Sequence, residues 1–143
     1  MKTMGFAAAM LIAGTSAAAG ERSDAASVVR AMFDAFNRHD AAAMVAAYAP
    51  HAELLSPDFC APRRGREDVR RTYQALFDEA PDIVDTVDEM VVQGDRVAVL
   101  FHSRGTAGGQ PFDVPIAAFI TVSDGLIVRD RSVFQPSPGA CLP

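Results

Sequence analysis

The chain reads as an α+β domain in which three helical stretches come first and four longer strands follow. Three observations predict it. Apolar residues recur at helical spacing up to about residue 80. From Ile83 the apolar period drops to two, and Gly/Asp turn signals separate the later runs. Helices grouped early and antiparallel strands grouped late favour an α+β architecture, with a strongly curved mixed or antiparallel sheet closing around the helices.

The elements follow in order. Ser23 or Asp24 can cap a helix running to about Arg38, with Val29, Phe33 and Phe36 on one stripe and Met32 beside it. Asp40 caps a short second helix, whose expected face is Ala41, Met44, Val45 and Tyr48 and which Pro50 ends. Residues 52–57 read as a short strand, and a loop rich in Pro, Asp and Arg leads to Gly65. The third helix carries Glu67 and Asp68 in its first turn, where the helix dipole favours acids, and presents Val69, Tyr73, Leu76 and Phe77 on its apolar face. Strands are expected over 83–92, 95–104, 112–122 and 126–134. Gln93-Gly94-Asp95 and Ser123-Asp124-Gly125 are the tight turns, and 105–109 is a longer loop.

Composition bounds the function. The chain has 143 residues, 50% hydrophobic and 22% charged, which is one domain's worth. A net charge of −5 argues against nucleic acid as a partner, because phosphate binding needs a basic face. Residues 1–19 have the pattern of a secretory signal: Lys2, an apolar run from Gly5 to Ala13, and Ala17-Ala18-Ala19 before Gly20. The alternative is an Ala-rich helical start. The signal reading implies a periplasmic or secreted protein, without a membrane anchor after cleavage, made of a domain over 20–135 and a tail over 136–143. The mature chain would hold 12 arginines and no lysine against 18 acids. In an oxidising compartment, Cys60 and Cys141 are expected to form a disulfide rather than two thiols. Its long loop would contribute about 4–5 kcal/mol before strain.

Several segments carry a family resemblance. They are Phe36-Asn37-Arg38-His39-Asp40, Tyr48-Ala49-Pro50-His51-Ala52, Arg64-Gly65-Arg66-Glu67, Ala80-Pro81-Asp82, the run from Gln93 to Val99, and Asp124-Gly125-Leu126-Ile127-Val128. In this order and spacing, over about residues 24–135, the chain resembles the SnoaL-like domains of the nuclear transport factor 2-like (NTF2-like) superfamily. The resemblance implies a cone-shaped fold with a pocket opening at one end and frequent dimerisation through the outer sheet face. It does not imply one activity, since the superfamily holds isomerases, cyclases, epoxide hydrolases and members with no reaction.

Carried over position by position, the resemblance puts Met32 where isomerase members keep a tyrosine, Ser56 at the base position and Ala118 at the second proton donor. None of these supplies the corresponding group. Ser132 stands at the usual last-strand aspartate, and Asp130 lies two residues earlier on the same face. Asp130 is either a pocket base or a carboxylate at a solvent-exposed strand end paired with Arg129 or Arg131, and the sequence favours the pair. Arg104 and Asp130 supply at most two members of an epoxide-hydrolase Asp-Arg-Asp set.

The expected pocket wall is almost wholly apolar, drawn from Met32, Met44, Ile116, Ala118, Ile120 and Phe134, with Phe36, Tyr48, Ser56 and Tyr73 also lining it. His102 is expected to point outward, His39 and His51 to be solvated at helix ends, and Arg63, Arg64 and Arg66 to form a solvated basic loop. Neither a metal nor a cofactor is indicated. Leu100, Phe119 and Thr121 are the expected dimer seam. Together these features favour a small apolar ligand binder or dimeric scaffold without the usual catalytic carboxylates. The alternative is a small-molecule isomerase, cyclase or hydrolase using Asp130 with Ser132 or a pocket tyrosine.

Overall fold

The computed structural model describes residues 17–137 and 139–140, with side chains from Ala25 onward. Most of the expected signal segment and Cys141 lie outside the described residues. Helix α1 runs Ala17–Asn37, α2 Ala41–Ala46 and α3 Gly65–Glu79. Strand β1 is Tyr48–Leu55, β2 Arg63–Arg64, β3 Val84–Gln93, β4 Arg96–Ala107, β5 Gln110–Ser123 and β6 Leu126–Val133. The fold is α+β, with three helices on a six-stranded mixed sheet ordered β2-β1-β6-β5-β4-β3. Every neighbouring pair is antiparallel except β1 with β6.

Local chemistry accounts for the elements. Asp40 caps α2 as expected, its carboxylate accepting from the Ala43 amide at 2.9 Å. The second helix stops earlier than the sequence suggests. Tyr48 is the first residue of β1 rather than the last of a helical face, and Pro50 lies inside the strand. Pro50 falls where the register between β1 and β6 shifts, so its missing amide hydrogen costs no ladder bond. Pro111 and Pro115 are tolerated in β5 because β6 pairs with β5 only from Ala117 onward.

The long loop expected over 105–109 is instead a tight hairpin. Strand β4 continues to Ala107 and β5 begins at Gln110. Gly108 and Gly109 both have positive φ, 58° and 77°, which a primed two-residue turn requires and which the neighbouring strand twist favours. Asp124 and Gly125 do the same between β5 and β6. His39 also departs from expectation. Its ring donates from Nε2 to the Ile83 carbonyl at 2.7 Å and stacks on Phe77, so it ties the α1 exit to the start of β3.

One face of the sheet packs on α1 and builds the core, in which Val29, Met44, Val69, Val97, Val99, Ile120 and Ile127 are fully buried. Period-two alternation decides which residues of β4 join it: Val97, Val99, Phe101 and Ser103 are buried, while Leu100 and Arg104 are exposed. His102 shares their outer face and bonds Asp113, which also accepts from Arg104 at 2.8 Å. The tail returns to the body, where the Ser137 amide and hydroxyl both donate to Asp58, at 2.8 and 3.0 Å.

Gly105 is the tightest point of the hairpin. A Cβ there would meet Ile83 Cα and the Phe112 ring, each at 3.0 Å. Gly105→Ala should therefore destabilise the fold by about 1–3 kcal/mol, the usual cost of overpacking, and urea unfolding should show a lower midpoint at unchanged slope.

Candidate active site

Between α1, α3 and the concave face of the sheet lies a cavity of about 630 Å³, within the size range that holds a drug-sized molecule. Most of the expected wall is there. Met32 and Phe36 come from α1, Tyr73 from α3, Ile116, Ala118 and Ile120 from β5, and Ser132 and Phe134 from the end of β6. Ser56 also lines it, where its hydroxyl accepts from the Asp58 amide at 3.3 Å. Two expected wall residues lie behind it instead. Met44 is fully buried beneath α2, and Tyr48 is fully buried at the start of β1. Tyr48, as a strand residue, directs its hydroxyl to Asp130 on β6.

Asp130 is the largest departure from expectation. It is 3% exposed, it lines the cavity, and no ion pair with Arg129 or Arg131 forms; both arginines are exposed. Its partner is Tyr48, whose hydroxyl donates to Oδ2 at 2.7 Å. The Tyr73 hydroxyl lies 3.3 Å from that of Tyr48. Because the Tyr48 proton goes to the carboxylate, Tyr73 donates in this second contact, and a chain Tyr73–Tyr48–Asp130 results. Oδ1 of Asp130 has no hydrogen-bond partner among the described residues. Burial pushes Asp130 up to about 6, while the bond from Tyr48 opposes the shift by stabilising the anion. Burial and the nearby Asp130 charge drive both tyrosines well above their ordinary value, so each is a neutral donor.

The cavity holds a second buried acid that the sequence reading missed. Asp85 on β3 is 8% exposed, lines the cavity, and has an Oδ1 without a partner. Burial pushes it up to about 7, and the Ser103 hydroxyl across the β3–β4 ladder pulls in the other direction. The side chain of Asn37, at the end of α1, brackets the Asp85 backbone: Nδ2 donates to its carbonyl at 2.9 Å and Oδ1 accepts from its amide at 2.8 Å. The available signal was the place of Asp85 in the period-two pattern, one residue from Val84 and two from Ile83. The exposure of the neighbouring β3 residues hid it. The wall is thus not wholly apolar: the buried carboxyls of Asp85 and Asp130 interrupt it, and Asp58, Glu79 and Arg63 line it as well.

The basic loop is tied down rather than free. Arg66 donates to the Tyr48 carbonyl at 2.7 Å, Arg64 pairs with Glu53, and Arg63 stacks on Phe59 at 4.7 Å. Arg104 is held by Asp113 on the outer face, away from Asp130, so no Asp-Arg-Asp set is assembled. Among the described residues no group of three or more His, Cys, Asp or Glu side chains could hold a metal ion.

Comparison with known proteins places this geometry in a family. The profile of the SnoaL-like domain matches residues 29–130, and the chain belongs to that family, within the NTF2-like superfamily. Solved structures agree on the fold. A candidate SnoaL-like polyketide cyclase from Jannaschia sp. CCS1 is 20% identical, with a TM-score of 0.72 over 80% of this chain and 87% of its own. A candidate ketosteroid isomerase from Kribbella flavida DSM 17836 is 25% identical, with a TM-score of 0.67 over 86% and 84%. An NTF2-like protein of unknown function from Burkholderia pseudomallei K96243 is 23% identical, with a TM-score of 0.72 over 78% and 91%. No curated protein sequence matches the chain.

The two buried acids make stability depend on pH. Their carboxyls bind protons in the folded state, at about 7 and about 6, that the unfolded chain releases near its ordinary value of 3.8. Stability should therefore fall as pH rises from about 4 to about 7, by up to about 4 kcal/mol for Asp85 alone. The exposed, ion-paired Asp68 and Asp113 are shifted down and act in the opposite sense, below that window. Thermal melts should show a higher Tm at pH 5 than at pH 8, and Asp85→Asn should flatten the difference.

Proposed function

We propose that the cavity performs acid–base chemistry on a small, mostly apolar carbonyl compound, with Asp130 as the proton carrier. The observation that carries this reading is the orientation of Asp130. One oxygen is held by Tyr48, while the other has no partner among the described residues, on a side chain that lines the cavity. A carboxylate at about 6 is ionised at neutral pH yet close enough to it to be an effective base. In the step it would perform, Oδ1 takes a proton from a carbon beside the carbonyl, and the C–H electron pair becomes the enolate. The Tyr48 bond holds the carboxylate in place. The Ser132 hydroxyl at the cavity wall is the donor available to the enolate oxygen, since Tyr73 gives its proton to Tyr48. Return of the proton to another carbon of the conjugated enolate completes an isomerisation. Attack of the enolate carbon on a second carbonyl of the same molecule, whose oxygen then takes the proton, completes a ring closure. Neither changes the net redox state.

A second reading, a ligand binder without chemistry, draws on the same wall. Met32, Ser56 and Ala118, at three positions where isomerase members keep their working groups, all line the cavity. The two readings separate on proton exchange. With 2-tetralone in deuterated buffer as probe, the protein should accelerate deuterium uptake at the carbons beside the carbonyl. Asp130→Asn should lower the protein-dependent rate by about 100-fold or more, and the wild-type rate should climb with pH through about 6 as the base ionises. Equal rates in the two proteins would leave the binder.

The remaining expectations belong to the same proposal. Val91, Leu100, Phe119 and Val133 are exposed on the outer sheet face, an apolar area suited to a second copy of this chain. The Ser137–Asp58 bonds bring the tail beside the Cys60 loop, which supports pairing of Cys60 with Cys141. Native mass spectrometry of protein recovered from the periplasm should give a dimer of chains starting at Gly20, and reduction under denaturing conditions should add two daltons per chain.

A further inference from the structure

We propose that Asp85, with Ser103 beside it, is the second polar pole of the cavity and binds a hydroxyl or carbonyl oxygen at the far end of the ligand whose reacting end lies at Asp130. The proposal rests on the reading of Asp130 given above and adds to it the shape and functional groups of the substrate.

The fold does not require the Asp85 carboxylate. Asn37 holds the residue entirely through its backbone amide and carbonyl, and β4 pairs with the same strand. An apolar side chain would serve those contacts equally well and would avoid the desolvation that burial imposes on a carboxyl. Yet Asp85 lines the cavity, and its Oδ1 has no partner among the described residues. A buried polar atom of this kind is satisfied when a ligand occupies the cavity. Near neutral pH the carboxyl is poised between its two forms, so it donates to a carbonyl or accepts from a hydroxyl.

The two acids are well separated on the sheet. Asp85 faces Ser103, which faces Val114, whereas Asp130 faces Ile120. Val114 and Ile120 are six residues apart on β5, about 20 Å on a flat strand and less on a curved one. Between the poles the wall is apolar, with Phe101, Ile116 and Ala118 among its residues. Tyr73 lines the same cavity. The occupant that matches is an elongated, ring-containing molecule with an oxygen at each end and none along its middle.

The test compares 4,4′-dihydroxybiphenyl with 4-hydroxybiphenyl, a pair that differs only in the second oxygen. Calorimetric titration should show the wild-type protein binding the diol about tenfold more tightly. Asp85→Leu should bring the two affinities together by weakening the diol alone, and Asp85→Asn, which can still donate and accept, should retain part of the preference. Equal affinities in the wild type, binding of neither compound, or a full preference surviving Asp85→Leu would each overturn the proposal. Failure of the Asp130 reading looks different: deuterium exchange unchanged by Asp130→Asn, with the preference for the diol intact.

Discussion

The hydrogen bond from Tyr48 to Asp130 joins the first long strand to the last, and much of the structure converges on it. Tyr48 is the residue at which the chain turns from α2 into β1. Its carbonyl is taken by Arg66 from α3, the carbonyl before it accepts from the Ile127 amide at 2.7 Å, and its ring is fully buried. These contacts leave the hydroxyl one direction, toward Asp130. The bond thus closes the parallel β1–β6 seam, the one parallel pairing in the sheet, from the side-chain level. It also makes a buried carboxylate tolerable, since a charge removed from water requires a donor in return.

The same bond divides the carboxylate into a structural half and a chemical half. Oδ2 serves the fold and Oδ1 is left without a partner among the described residues. A shift set by burial, moderated by one neutral donor, gives an acid–base group near the middle of the physiological range without any charged neighbour. Asp85 shows the same principle with weaker support. It has only a serine hydroxyl beside its carboxyl, and burial raises it further. Two buried carboxyls, each poised by desolvation, add polarity to a wall that also draws Phe101, Ile116 and Ala118 from the sheet. The fold by itself does not set a function, and here the buried acids of the cavity are Asp85 and Asp130.

Periodicity made most of the fold legible. The helix faces, the Asp40 cap, the antiparallel strands and the Asp124-Gly125 turn follow from residue spacing, because those features are decided within a few residues. The misreadings have a common cause. Tyr48 continues a helical face in the sequence but leaves the helix because the β1–β6 pairing claims its backbone. The 105–109 segment reads as a loop because of its glycines, yet two of them serve a hairpin whose strands reach through it. In both places long-range pairing overrides local preference.

Asp130 marks the boundary between what each level determines. The sequence by itself determined which face of the last strand Asp130 shares with Ser132 and Phe134, since side-chain alternation is a property of a single strand. Through the family resemblance it also led to Met32, Ser56 and Ala118 as the positions expected to carry the isomerase groups, and none of the three is acidic. Only the tertiary structure decided that this carboxylate is buried against a tyrosine rather than exposed beside an arginine, and that Asp85, 45 positions earlier, opens onto the same cavity. The physical reason is that burial and hydrogen-bond partners depend on which distant segments the sheet brings together. Charge and acidity in turn follow burial, and no local pattern of residues encodes them.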